Sequence, residues 1–508
     1  MVRLKVKAQP KRKTIAKRPA SAGKLQKSST LALYWREASR KISSEDAKHI
    51  RAMVSVAGRT SLGTMGSGSG MGEISHTFVM REFGQSTRLA YTCESVAFKQ
   101  SHLCSVVHPR LPGSGGKDVG VPCCFKDLCQ LGAEEATCAV HTEPDNGPCK
   151  ISSNLFMAIC GYSCKDLSNL ATKPRSHVLE SGKGSSAETC AGLLRYLESH
   201  RPRIVILENV PEMAKPAEES RNVAYIIQRL NKIQYCYAAL VFDSNQYYVP
   251  QTRKRAFAIS LDCNYFGLTV AQGAALAASM LDFAKTLTVP MGNLDKFILP
   301  DDHARVVQEL QRRKGLNNSK LAKEGWRAKH KSFLASKGIS WRTLSAPPDT
   351  QASEWFQLAP EREQEVIMYG IATTQGTLTA IDTSQNMDRS PPICTKCLPT
   401  FTTGSQLFMM HCNKKKPLNR FLLGSEALAL QGFPTSYLSV ADGRVPSEAQ
   451  MLNLAGNAFT STVCAAVIAG VFARLPSSIG SGIEAPLAIG EADDEMVLQD
   501  VLDFMKDL

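Results

Sequence analysis

The sequence lacks an apolar run long enough to cross a bilayer. Its longest such stretch, around Val463 to Phe472, falls short of the roughly 18 residues that a spanning helix needs. Also missing is the apolar core of a secretory leader, so the 16 cysteines read as reduced thiols of an intracellular protein and exclude a disulfide scaffold. There is no internal repeat, which excludes a solenoid or propeller. Acids are absent from residues 1–30, where ten Lys/Arg stand (Arg3, Lys5, Lys7, Lys11, Arg12, Lys13, Lys17, Arg18, Lys24 and Lys27). Such a stretch buries too little apolar area to offset its ordering entropy, so a disordered, polyanion-binding tail is expected. Lys11-Arg12-Lys13 resembles a nuclear import signal, which points to the nucleus; an organellar transit peptide and a plain solvated tail are the alternatives.

What is present is ordinary for a globular chain: 508 residues, 43% hydrophobic and 21% charged, with a net charge of +14 that falls to +4 once the tail is set aside. That length allows two or three domains, or one large domain with an insertion. Short apolar, strand-like segments recur at Arg59–Thr64, Leu89–Cys93, Val119–Cys124, Leu155–Cys160, Ile204–Leu207, Ala238–Phe242 and Ala256–Ser260, each followed by a turn and a helical pattern. The pattern predicts an α/β fold with a parallel sheet and helices on both faces, whose ligands sit at the carboxyl ends of the strands. The expected organisation is a catalytic domain over 50–262, a looser, irregular module over 265–415 and a return segment over 420–475 that completes the first domain. The module carries a basic cluster from Arg312 to Lys331 together with Trp326, Trp341 and Trp355. A Ser/Gly/Pro linker leads into an acidic amphipathic helix over 491–508. That helix either covers a core edge or contacts a protein partner.

Five constellations carry chemistry. Gly66, Gly68 and Gly70 follow the first strand, with Glu94 ending the second; such glycines let a backbone approach a ligand, and an acid about 20 residues on can hold a ribose, although a plain flexible loop has the same composition. Cys164 stands just after the segment Leu155–Cys160, where a following helix N-terminus and Lys165 would favour thiolate; a small buried hydrophobe is the alternative. Glu208 and Asn209 end a strongly apolar strand, where desolvation would raise the carboxyl pKa, with an N-cap role open for Asn209. Arg253 and Arg255, two apart on an extended chain, would face one side and jointly hold a phosphate or carbonyl oxygen. Last come Gln431-Gly432-Phe433-Pro434 and Gly456-Asn457-Ala458-Phe459.

In order and spacing these pieces resemble the DNA cytosine-5 methyltransferases over roughly 60–475. Glu208-Asn209-Val210, Val249-Pro250-Gln251-x-Arg253-x-Arg255 and Gln431-Gly432-Phe433-Pro434 match that family's motifs directly. The resemblance implies an S-adenosylmethionine-dependent methyltransferase fold, a target-recognition domain over 265–415, and methyl transfer to carbon 5 of cytosine in a flipped-out base. It makes Cys164 the nucleophile, Glu208 the acid at ring N3, Asn209 the holder of the loop, and Arg253 and Arg255 the remaining catalytic groups. Gly66, Gly68, Gly70, Glu94, Asp127 and Asn457 become the cofactor side. DNA is the implied partner, with tRNA cytosine or non-catalytic chromatin binding as alternatives. The chain departs from the family at Ser163 and Lys165, where Pro and Gln flank the cysteine, and at Tyr248, where Gly is common. Cys394-x2-Cys397 followed by His411-Cys412 has near-zinc spacing, but adjacent His and Cys are atypical, so unliganded thiols are expected there with a structural zinc as the alternative, and no metal site is expected.

Overall fold

The computed structural model describes residues 29–56, 60–111, 121–141, 147–168, 177–315, 325–374, 380–389, 393–394, 397–411, 418–438 and 445–477. The basic tail up to residue 28, the Ser/Gly/Pro linker beyond 477 and the acidic segment 491–508 lie outside these residues, as does part of the basic cluster after Gly315.

Nine strands precede the second module: β1 (Thr60–Met65), β2 (Thr87–Cys93), β3 (Cys123–Phe125), β4 (Glu135–Ala136), β5 (Cys149–Lys150), β6 (Met157–Cys160), β7 (Ile204–Asn209), β8 (Ala238–Asp243) and β9 (Lys254–Leu261). Seven of them form one sheet in the order β3-β2-β1-β6-β7-β9-β8. The pairs from β3 through β7 are parallel, and β9 runs antiparallel to both of its neighbours. The chain direction reverses its lateral progress at β1 and β6, so a crevice opens at their carboxyl ends. All six residues of β7 are buried, the signature of a strand covered on both faces.

Helices cover the sheet because their apolar residues repeat at helical spacing. Ser220 caps the helix Arg221–Lys232 by accepting from Val223 N, and Val223, Ile226 and Leu230 form its buried stripe. The helix Ser461–Arg474 is buried from Ser461 to Ala473. Residues 448–474 are long and apolar enough to cross a membrane, but 94% of their most apolar window is inside the protein, so the stretch forms core. It crosses the helix Val270–Thr286 closely: a Cβ on Gly470 would stand 2.2 Å from Met280 O, so no larger residue fits.

The helices Thr30–Ala38 and Ser44–Val56 join this core although the sequence showed no clear pattern there. Trp35 meets Phe78 and Phe83 edge-on, and Tyr34 Oη donates to Leu287 O at 3.1 Å. Val270–Thr286, read from sequence as the start of the recognition module, contributes Ala277, Met280 and Leu281 to the same core. A second core begins later, around Val306, Leu334, Val366, Ile381, Phe408 and Phe421. It lies on an antiparallel sheet, β11-β10-β12-β13, of β10 (Ala380–Asp382), β11 (Ile393–Cys394), β12 (Leu407–His411) and β13 (Leu418–Phe421). Arg420, 1% exposed, ties the two bodies: it pairs with Glu426 at 2.7 Å and donates to Leu299 O at 2.8 Å.

Candidate active site

The strand β1 ends in the glycine loop, and Gly66, Gly68 and Gly70 all have positive φ (65°, 52° and 79°). At Gly66 the demand is absolute, because a Cβ would lie 2.2 Å from Gly161 O. Gly70 opens the helix Met71–Glu82. The loop is closed by Glu94, just past β2: its Oε2 accepts from Gly68 N and its Oε1 from Val96 N, both at 3.0 Å. Each carboxylate oxygen keeps acceptor capacity for a diol, and the side of Gly68 toward Glu94 is open, with 3.9 Å to the nearest atom a Cβ would meet. Ser69 Oγ, fully buried, has no partner. An adenosine-type cofactor therefore fits this loop. Asp127 follows β3 and caps a short turn, accepting from Cys129 N at 2.8 Å. Asn457 ends the helix Glu448–Asn457 with its side chain exposed, its Nδ2 donating to Asn453 Oδ1 at 3.5 Å on the surface. Phe459, the last residue of the Gly456-Asn457-Ala458-Phe459 segment, packs against both Gly161 and Gly72 and so roofs the strand ends.

The second half of the site stands across the switch point. Cys164 follows β6, and Glu208 and Asn209 end β7. The expectation of a helix N-terminus activating Cys164 is corrected here: the described residues that follow it directly, 165–168, form only a turn, with Leu167 N and Ser168 N donating to Cys164 O at 3.1 and 3.0 Å. Burial, then the negative charge of Glu208, push the thiol pKa up, while Arg255 and Arg253 pull the other way. The thiol is accordingly the resting form, and two guanidinium groups stabilise the thiolate when it forms.

Glu208 is 8% exposed, and burial pushes its carboxyl pKa up against the opposing pull of Arg255 and Arg253. Its Oε1 lies 3.3 Å from Arg255 Nε, yet the geometry makes no hydrogen bond and leaves that buried oxygen otherwise unpartnered. Asn209 Nδ2 donates to Tyr162 O at 3.1 Å, and its Oδ1 accepts from Val210 N, so this side chain fastens the Cys164 loop to β7.

The two arginines do not act as the expected pair. Arg253, 3% exposed, donates to Phe401 O (3.2 Å), Gly456 O (3.1 Å) and Ala458 O (2.9 Å), so it binds chain segments together. Only Arg255 faces Glu208. The physical reason is burial: carbonyls enclose the Arg253 guanidinium and take three of its five N–H donors, and its Nε is buried without a partner. Gln251 and Gln431 complete the floor by bonding to each other, with Gln431 Oε1 accepting from Thr460 Oγ1 at 3.0 Å.

The departures from the family pattern have local explanations. Ser163 N donates to Thr189 Oγ1 at 3.1 Å, a bond that proline could not make, and Ser185 Oγ donates to Ser163 Oγ at 2.8 Å. Asp166 and Ser186 exchange two 3.0 Å bonds at the start of the helix Ser185–His200. Together they pin the cysteine loop to that helix. Tyr248 takes φ +75°, the region where glycine is at ease; its carbonyl accepts from Gly292 N at 2.6 Å and its ring lies 6.3 Å from that of Phe297. Of the zinc-like spacing, Cys394 is on β11 and His411 on β12, strands separated by β10, and Cys412 lies outside the described residues.

The family pattern of C-5 cytosine-specific DNA methylases matches residues 147–473. The chain belongs to that family. S-adenosylmethionine is accordingly the cofactor. The chain is similar to the DNA (cytosine-5-)-methyltransferase DMT5 of Cryptococcus neoformans, 23% identical over 444 residues, covering 81% of this chain and 17% of the relative. It is also 23% identical over 312 residues to the DMT5 of Verticillium dahliae, covering 56% of this chain and 12% of that protein. The methylase therefore spans only 12–17% of the length of the curated relatives it matches. Among solved structures, a putative DNA modification methyltransferase encoded within an Escherichia coli prophage aligns with TM-score 0.43 and 14% identity, over 82% of this chain and 99% of that one.

Proposed function

We propose that this methylase transfers a methyl group to carbon 5 of cytosine in DNA through a covalent adduct at Cys164. The observation that carries the reading is the convergence of Cys164, Glu208 and Arg255 in one electrostatic unit at the ends of β6 and β7. Carbon 5 of cytosine is too weak a nucleophile by itself. The Cys164 thiolate adds to carbon 6, and Glu208, whose burial favours its protonated form, gives a proton to ring N3 as the ring electrons shift, which makes carbon 5 nucleophilic. S-adenosylmethionine supplies the sulfonium methyl group that carbon 5 receives. A base then takes the carbon 5 proton, the carbon–sulfur bond breaks to release Cys164, and N3 returns its proton to Glu208. Arg255 stabilises the carboxylate left in between, and Asn209 holds the cysteine loop in register. The base must leave the duplex to reach this pocket, at a cost of a few kcal/mol.

The test is trapping with oligonucleotides that carry 5-fluorocytosine, from which the carbon 5 substituent cannot leave as a proton. A cofactor-dependent adduct on DNA, lost in Cys164→Ala, is the expected result. An adduct on RNA alone would move the substrate to RNA, and DNA binding without an adduct would make the chain a binder. The basic tail supports a nuclear destination on composition alone.

A further inference from the structure

Away from the reacting groups, one edge of the main sheet gathers Cys123, Cys138, His141 and Cys149, whose ligand atoms all lie within 4.8 Å of one another. Cys123 is on β3, Cys138 sits in a bridge opposite Phe125, His141 follows three residues later, and Cys149 is on β5, paired with Ala136 of β4. The three sulfurs stand at 3.5, 3.6 and 3.6 Å from the same atom, His141 Nδ1. A neutral imidazole nitrogen carries either one proton or one lone pair, so hydrogen bonding accounts for one of these approaches and leaves two unexplained. A tetrahedral zinc accounts for all three. With Zn–S near 2.3 Å and Zn–N near 2.0–2.1 Å, the edge between a sulfur and the nitrogen is about 3.6 Å. The Cys138 sulfur also accepts from Cys124 N at 3.4 Å and Val140 N at 3.3 Å, the outer contacts that orient a metal thiolate.

We propose that these four residues bind one structural zinc ion as a Cys3His site, which replaces the sequence expectation of no metal. Binding converts three thiols and a neutral imidazole into a centre of net charge −1 and releases three protons. All four positions are filled by protein, so the ion has no open site for catalysis. Its work is mechanical. The strand β3 is three residues long at the sheet edge, and β4 with β5 pair over only two residues each, too little to hold themselves in water. The ion staples these pieces together, and Asp127, two residues past β3, inherits its position on the cofactor side from that staple. The sequence signal was a Cys-x2-His step, Cys138 to His141, flanked by Cys123 and Cys149 at wide spacings.

The full chain, purified without a metal-binding tag, is assayed for zinc by mass spectrometry and by release to a chromogenic chelator after mercurial treatment of its thiols. About one equivalent per chain is expected. Cys149→Ser and His141→Ala are expected to lose it, while Cys397→Ser keeps it. Should those variants fail to fold, His141→Cys provides an alternative reading: it retains the metal, and on Co2+ substitution its tetrahedral bands shift to those of an all-thiolate centre. A reduced wild-type chain that holds less than a tenth of an equivalent and binds no Co2+ tetrahedrally overturns the proposal. So does zinc that survives Cys149→Ser or disappears with Cys397→Ser. Methyl transfer is not read in this experiment, so its outcome is independent of the reaction assigned above.

Discussion

Replacing Glu208 by Gln keeps the size and shape of the side chain but removes its transferable proton. If this carboxyl protonates ring N3, single-turnover methylation should fall by about 10²–10⁴-fold, or about 3–5.5 kcal/mol in the barrier. Stability should move the other way. The folded-state pKa of Glu208 is raised, with burial the first cause, so the native state binds this proton more tightly than the unfolded chain does. The group therefore lowers native stability as pH rises from the ordinary carboxylate value of about 4.3 to its raised folded-state value, above which the loss is constant. Glutamine removes that dependence. Arg255 loses its neighbour, but its side chain is 19% exposed and retains a bond to Lys254 O at 2.7 Å, so water and that carbonyl limit the loss. The expected signature is a variant that melts no lower than the wild type at pH 8 and gains on it as pH rises, while trapping 5-fluorocytosine hundreds of times more slowly. A variant within threefold of wild-type activity, or one whose inactivity comes with a clearly lower Tm, would refute the acid role.

Four further outcomes follow from the same contacts. Because burial holds Cys164 as a thiol, the rate of adduct formation should climb with pH through the neutral and mildly alkaline range, close to tenfold per unit, until the thiolate predominates or Glu208 loses its proton; a flat profile in stopped-flow trapping would contradict this. Arg253→Ala leaves buried carbonyls at 401, 456 and 458 without a donor and should cost about 3 kcal/mol or more by urea denaturation; a stability within 1 kcal/mol of wild type would show the side chain is not a tie. Thr189→Val strips Ser163 N of its acceptor, should cost about 1–3 kcal/mol, and should lower kcat more than it raises KM, since a displacement of about 1 Å in a catalytic loop can cost on the order of a hundredfold. Deleting residues 1–28 removes ten cationic side chains, and should both abolish nuclear accumulation of a fluorescent fusion and flatten the salt dependence of DNA binding; unchanged imaging and an unchanged salt slope would refute both roles.

Much of the fold was legible in the residues because its signals are local. The run Ile204–Leu207 is apolar without alternation, as a strand covered on both faces must be, and the glycines at 66, 68 and 70 are residues that accept positive φ without strain. The approach of Gly161 to the loop depends on the register of β1 against β6, so the need for glycine at 66 became visible only with that pairing. The helices over 30–56 were missed because their burial depends on the helix Ser461–Arg474, more than 400 residues away. The arginines show the limit most clearly. Alternation along a strand placed Arg253 and Arg255 on one face, but which of them met carbonyls and which met a carboxylate was settled by segments 401 and 456–458.

By itself, then, the amino-acid order determined the strand segments, the parallel α/β class and the candidates for reaction, because periodicity and side-chain chemistry reside in neighbouring residues. Only tertiary structure decided the electrostatic state of Cys164, the division of labour between the arginines and the gathering of three cysteines around His141. Each of these depends on charge, burial or distance between groups far apart in the chain, and such quantities exist only once the sheet has closed.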